Sequence, residues 1–189
     1  MTTQDGQTAS ADTASLRHTY HSLKVERIIR ETHDSCSVVF EIPDQLREVF
    51  RYKAGQFLTL EVPYEGMLLK RCYSLASSPD WEPEHKVTIK RVDGGRISNW
   101  VNSNLSEGDL VKVLPPDGRF VMTHDRDHMV LFGGGSGVTP MISIVKTALK
   151  TTSRTMTLVY TNRDERSIIF KAEIDALAQA HGDRLKVIH

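Results

Sequence analysis

From His21 to Met122 apolar and polar positions alternate in short runs, each broken by turn residues. Leu23–Ile29, Ser35–Ile42, Gln56–Val62, Arg71–Leu75, Lys86–Val92 and Asp109–Leu114 are rich in Val, Ile, Leu or aromatic residues and read as strands. Pro43, Ala54-Gly55, Pro63, Pro79, Gly94-Gly95, Gly108 and Pro115-Pro116 separate them. This pattern predicts an all-β, six-stranded antiparallel Greek-key barrel over residues 21–124. One stretch departs from it: Ile97, Trp100, Val101 and Leu105 fall at helical spacing, which predicts a short helix set into the barrel.

After Asp125 the period changes. His128–Phe132, Thr155–Tyr160 and Leu185–Ile188 read as strands, with helices over Thr139–Lys150 and Phe170–Ala180 between them. Strand–helix–strand–helix–strand implies parallel pairing through right-handed crossovers. Residues 127–189 are therefore expected to form an α/β parallel-sheet nucleotide-binding domain, with the boundary near Thr123–Asp127. Doubly wound sheets usually run through a second half. The expectation is an incomplete domain, in a fragment of a longer protein or in one whose sheet a partner completes.

Bulk composition narrows the options. Apolar residues make up 39% of the 189 and charged residues 25%, enough to fold and bury a core. Lys plus Arg and Asp plus Glu both number 24, so no global charge points to nucleic acid or a membrane surface as partner. Any cationic site must be local. Residues 1–20 hold one Leu and no apolar run, and read as a disordered tail without a secretory signal. No stretch approaches the roughly 20 apolar residues of a membrane span, and a cytoplasmic location is expected. Two cysteines, Cys36 and Cys72, are too few for an iron–sulfur or zinc site, so no metal ligands are assigned.

Three segments carry candidate chemistry. Along Arg71-Cys72-Tyr73-Ser74-Leu75 the side chains at 71, 73 and 75 share one strand face. Arg71 can pair with a diphosphate, Tyr73 can lie against a flat heterocycle, and Ser74 can hydrogen-bond a ring nitrogen. An ordinary strand with an exposed Arg and a half-buried Tyr gives the same pattern. Gly94-Gly95-Arg96-Ile97-Ser98 precedes the short helix, so its first amides can face an anion, with Ser98 as cap or contact. A hairpin turn before a capped helix reads equally well. Lys90 and Arg91 read by themselves as exposed strand charges. Gly133–Pro140 follows a strand and opens a helix, the setting of a phosphate-binding turn, although it does not match G-x-G-x-x-G. Here Thr139 is suited to the N-cap and Pro140 to the first turn. In the loop Tyr160–Ser167, Arg163 and Arg166 could meet a 2′-phosphate, or Arg163 could stack on adenine, or Asp164 or Glu165 could bind a free 2′-hydroxyl, or the loop could simply be solvated.

Taken together, these segments resemble the ferredoxin–NADP reductase superfamily, and in particular the reductase components of ring-hydroxylating oxygenases. Arg71-x-Tyr73-Ser74-Leu75 is similar to the flavin motif and Gly133–Pro140 to the pyridine-nucleotide motif. Tyr52-x-x-Gly55-Gln56-Phe57, Val87–Arg91, Ser98-Asn99-Trp100 and Asn162-Arg163-x-x-x-Ser167 are similar as well. The resemblance implies that Arg71, Tyr73, Ser74, Lys90, Gly95, Arg96, Ile97 and Ser98 hold FAD. Ser74 and Thr139 would flank its reacting edge as the catalytic pair. It further implies that Gly134, Gly135, Ser136 and Gly137 face the diphosphate of NADH or NADPH, NADH being favoured, with Asn162, Arg163 and Ser167 near its adenosine. Longer members carry a [2Fe-2S] domain whose cysteines this chain lacks. The implied function is an electron-transfer flavoprotein reductase passing electrons from NAD(P)H through FAD to an oxygenase component or iron–sulfur protein. The alternatives are a reductase of free flavin or a soluble acceptor, and a non-catalytic flavin-binding fragment.

Overall fold

The structure is a computed structural model, and it describes residues 15–122 and 127–189. The expected boundary at 123–126 and the first fourteen residues of the tail lie outside the described residues. Residues 15–20, expected to belong to the tail, instead fold back on the barrel. Leu16 packs against the barrel core, its carbonyl lies 2.8 Å from the His21 Nε2, and Arg17 donates to the Glu48 carbonyl.

Six strands form the first sheet: β1 (His21–Thr32), β2 (Ser35–Glu41), β3 (Phe57–Tyr64), β4 (Met67–Ser74), β5 (His85–Lys90) and β6 (Leu110–Asp117). Their order is β4-β3-β6-β1-β2-β5, antiparallel throughout. A bridge between Leu75 and Val87, reinforced by the Ala76 amide donating to the Lys86 carbonyl at 2.7 Å, closes the sheet into a barrel. Inward positions such as Leu23, Val25, Val38, Leu58, Leu60, Val87, Ile89 and Val113 are fully buried. That burial fixes the register, since a one-residue slip would turn every inward side chain outward. Helix α1 (Arg96–Asn104) plugs one end with Ile97 and Val101. Strand β4 begins four residues before the Arg71 expected from sequence, because Glu65 and Gly66, both at positive φ, turn β3 back into it.

In the second domain β7 (His128–Gly134), β8 (Thr155–Thr161) and β9 (Leu185–Ile188) pair in parallel. Helices α2 (Val138–Thr151) and α3 (Lys171–Ala180) are the crossovers. Ile142, Val145, Ala148, Ile174 and Leu177 line their buried faces against Met156, Leu158 and Tyr160. No described helix is long and apolar enough to cross a membrane.

A polar seam joins the domains. Ser143 donates to the Ser77 carbonyl at 2.5 Å, Ser78 and Thr147 hydroxyls meet at 2.7 Å, and Lys146 reaches Glu82 and Glu173. Ala54 and Ala76 of the barrel pack into the core of the second domain. The α2 helix thus fixes how the glycine turn at its start faces the barrel.

His85 illustrates how the barrel depends on pH. Its ring packs edge-on between Phe50 and Tyr52, and Nε2 lies 2.7 Å from the Phe50 carbonyl, so Nε2 carries the proton and donates. Burial pushes the imidazole below its ordinary value, and the Phe50 bond offsets this only in part. Because protonation is disfavoured in the folded state, the contribution of His85 is fully present above about pH 6.5 and declines on acidification through its lowered value. Thermal midpoints measured between neutral and mildly acidic pH should therefore fall more steeply for the parent than for His85→Gln. Parallel curves would contradict this.

Candidate functional site

Strand β4, the end of β5, the start of α1 and the turn before α2 converge on one cleft of about 760 Å³. Arg71, Tyr73 and Ser74 enter from β4, Lys90 from β5, Gly95 from the cap of α1, Arg96, Ile97 and Ser98 from its first turn, and Ser136, Gly137 and Thr139 from the second domain. Residues nearly seventy apart in sequence thus share one wall-to-wall space.

Its electrostatics are one-sided. Lys70, Arg71, Lys90 and Arg96 line the cleft and, among the described residues, no Asp or Glu does, in a chain whose charges balance overall. Lys70 is paired with Glu61 at 3.5 Å and Lys90 with Asp34 at 3.6 Å. Arg71 and Arg96 form no salt bridge with a described residue. Burial pushes the Tyr73 phenol up to about 12, with the nearby Arg71 charge pulling the other way. Arg71 and Tyr73 therefore project into the same space, and Tyr73 remains a neutral ring at neutral pH. Helix α1 starts on Gly95, where no side chain caps the first amides. A Cβ there would lie 2.5 Å from the Ser98 Oγ and 2.9 Å from the Val92 carbonyl oxygen, so only glycine lets the turn close.

A second cleft of about 440 Å³ adjoins the first and shares Lys90 and Ser136 with it. Gly134, Gly135, Thr161, Asn162 and Arg163 complete its lining. Gly135 is held at φ +50, a left-handed conformation that favours glycine. Both polar atoms of the Asn162 amide are buried, with no well-formed hydrogen bond among the described residues and the Tyr160 hydroxyl as a near neighbour. Such groups are normally satisfied.

Several expected details take a different form. Helix α2 starts at Val138 after a single tight turn over Gly135–Gly137, so Thr139 is not the N-cap. Its hydroxyl donates back to the Ser136 carbonyl at 3.0 Å and steadies the turn. Ser98 is not a cap either: it lies in the first turn of α1, where its hydroxyl accepts from the Val92 amide at 3.3 Å. Ser167 is buried and occupied in a reciprocal capping box with Asp164, and it lines neither cleft. Lys90 is no free strand charge. Asp34, which carries no signal in the sequence, accepts from Thr32 at 2.8 Å and pairs with Lys90 at 3.6 Å and with Arg163 at 3.5 Å. Burial alone would raise the Asp34 carboxyl, but the Thr32 hydroxyl, Lys90 and His33 outweigh it and leave it below its ordinary range.

A barrel with a cationic, aromatic-walled cleft, set against the glycine turn of a parallel sheet, defines the class of two-domain modules that bind FAD and a pyridine nucleotide. The model of the oxidoreductase FAD-binding domain matches residues 22–122 and that of the oxidoreductase NAD-binding domain residues 131–189. The chain belongs to the oxidoreductase FAD-binding domain family. It is 47% identical over 168 residues to the ferredoxin reductase component of 3-ketosteroid-9-alpha-monooxygenase from Rhodococcus rhodochrous, covering 88% of this chain and 48% of that one. It is 34% identical over 160 residues to the reductase component of glycine betaine monooxygenase from Pseudomonas aeruginosa, covering 84% of this chain and 43% of the relative. Phthalate dioxygenase reductase, a modular structure for electron transfer from pyridine nucleotides to [2Fe-2S], superposes with TM-score 0.77 at 27% identity, over 90% of this chain and 51% of its own. The chain spans about half the length of the curated relatives it matches.

Proposed function

We propose that this chain is the flavin- and nucleotide-handling part of an electron-transfer reductase that serves an oxygenase through an iron–sulfur protein. The cationic cleft carries the reading: a space holding the Arg71 guanidinium, which no described residue pairs, a half-buried phenol ring and an uncapped helix start suits a flavin with a diphosphate tail. Bound there, FAD would accept a hydride from NAD(P)H and pass electrons on one at a time.

The residues divide the work. Arg71 neutralises the diphosphate, with the amides at Gly95–Ser98 offering further donors and the α1 dipole adding attraction. Tyr73 gives the ring system a flat apolar face. Ser74 and Thr139 approach the cleft from opposite domains and would flank the reacting edge of a bound flavin. Gly134–Gly137 leave backbone open to the nucleotide diphosphate, and Asn162 and Arg163 line the cleft beside them. Such a protein works in the cytoplasm, beside the pyridine-nucleotide pool.

Mixing the flavin-loaded chain with NADH or NADPH under anaerobic conditions, and then with a [2Fe-2S] ferredoxin, tests the proposal. Bleaching of the flavin followed by reduction of the ferredoxin is expected. A flavin that stays oxidised would overturn it, and so would electrons that reach free FMN but never the iron–sulfur protein.

A further inference from the structure

The loop after β8 offers four charges whose roles are indistinguishable in sequence, and the structure separates them. Asp164 is used by the capping box, accepting from the Ser167 amide at 2.9 Å. Glu165 lies 3.6 Å from Lys171. Arg166 does not line the nucleotide cleft, and Arg163 does. An Arg in this place, left free, would favour a nucleotide bearing a 2′-phosphate. Arg163 is not free: Asp34 reaches it from the β1–β2 hairpin of the other domain.

Asp34 is well placed to act as a fixed negative charge. Only 13% of its side chain is exposed, and Thr32, Lys90 and His33 hold it from three directions. Arg163 is the exposed partner, with 79% of its side chain open to solvent. A 2′-phosphate captured by Arg163 would have to come close to the Asp34 carboxylate or displace it. Like charges at that range, one of them on a largely buried carboxylate, are unfavourable. A 2′-hydroxyl carries no such penalty.

We propose that Asp34 is a specificity-determining residue: by holding Arg163 and Lys90, which line the nucleotide cleft, it makes the cleft select NADH over NADPH. This rests on the nucleotide reading of the Gly134–Gly137 cleft given above. The selecting charge comes from the barrel, not from the nucleotide domain itself.

Calorimetric titration of the chain with 5′-AMP and with adenosine 2′,5′-bisphosphate at low ionic strength tests this. The parent should bind 5′-AMP about tenfold more tightly than the bisphosphate, the scale of one close like charge. In Asp34→Asn, with folding checked by thermal midpoint, that preference should vanish, because bisphosphate affinity rises far more than that of 5′-AMP. Adding Arg163→Ala to Asp34→Asn should remove the gain. A parent that binds both compounds equally, or an Asp34→Asn variant in which both affinities rise by the same factor, overturns the role of Asp34 and leaves the nucleotide cleft intact. Failure of 5′-AMP itself to bind overturns the nucleotide cleft, and the role of Asp34 with it.

Discussion

Lys146→Ala is expected to lower the unfolding free energy by about 3–5 kcal/mol, the range for removing one partner of a buried ion pair. Lys146 is 1% exposed on α2, and its ammonium lies 2.6 Å from Glu82 and 2.9 Å from Glu173. Glu82 belongs to the loop after β4 and Glu173 to α3, so one cation ties the barrel to both helices of the second domain. Without it two carboxylates face each other and, among the described residues, Lys86, 3.8 Å from Glu82, is left to compensate. Urea denaturation of Lys146→Ala and Lys146→Met checks this. Methionine restores volume but not charge, so a large loss in both variants locates the effect in the ion pair. A loss below about 1 kcal/mol in both, the usual worth of an exposed pair, would show that the seam is solvated.

The second large effect concerns the cofactor. Arg71→Ala should weaken FAD binding by roughly tenfold to a hundredfold, the worth of a charge-assisted hydrogen bond to an anion. Tyr73→Ala should weaken it less, since the ring contributes stacking and apolar contact only. Equilibrium dialysis with FAD reads both variants against the parent. Because Arg71 forms no salt bridge with a described residue, its loss should leave the thermal midpoint of the apoprotein close to that of the parent. An Arg71→Ala variant that retains FAD like the parent would show that the guanidinium points past the diphosphate.

Much of the fold was legible because burial writes itself into local pattern. Strand β2 alternates Cys36, Val38 and Phe40 into the barrel core, and β9 coincides with the run expected from sequence. The first half of β4 was not legible. Met67, Leu68 and Lys70 are exposed, so no core imposes alternation there, and the left-handed Glu65 gives no signal in sequence. The site divides in the same way. Arg71, Tyr73 and Gly95 stand in local motifs whose geometry follows from strand pleat and helix start. Asp34 could not be found, because its partners lie 56 and 129 positions further along, at Lys90 and Arg163. Ser167 was misplaced because Asp164-x-x-Ser167 is a capping signal, and its hydroxyl is spent on Asp164. Lys146 sits on a helix whose sequence period gives no hint that a lysine is buried.

The most direct measurement is a crystal structure of the chain grown with FAD. The expected density places the diphosphate between the Arg71 guanidinium and the backbone amides at Gly95–Ser98, with the ring system against Tyr73. Flavin bound elsewhere, or Arg71 turned to solvent beside a diphosphate it does not touch, would contradict the account.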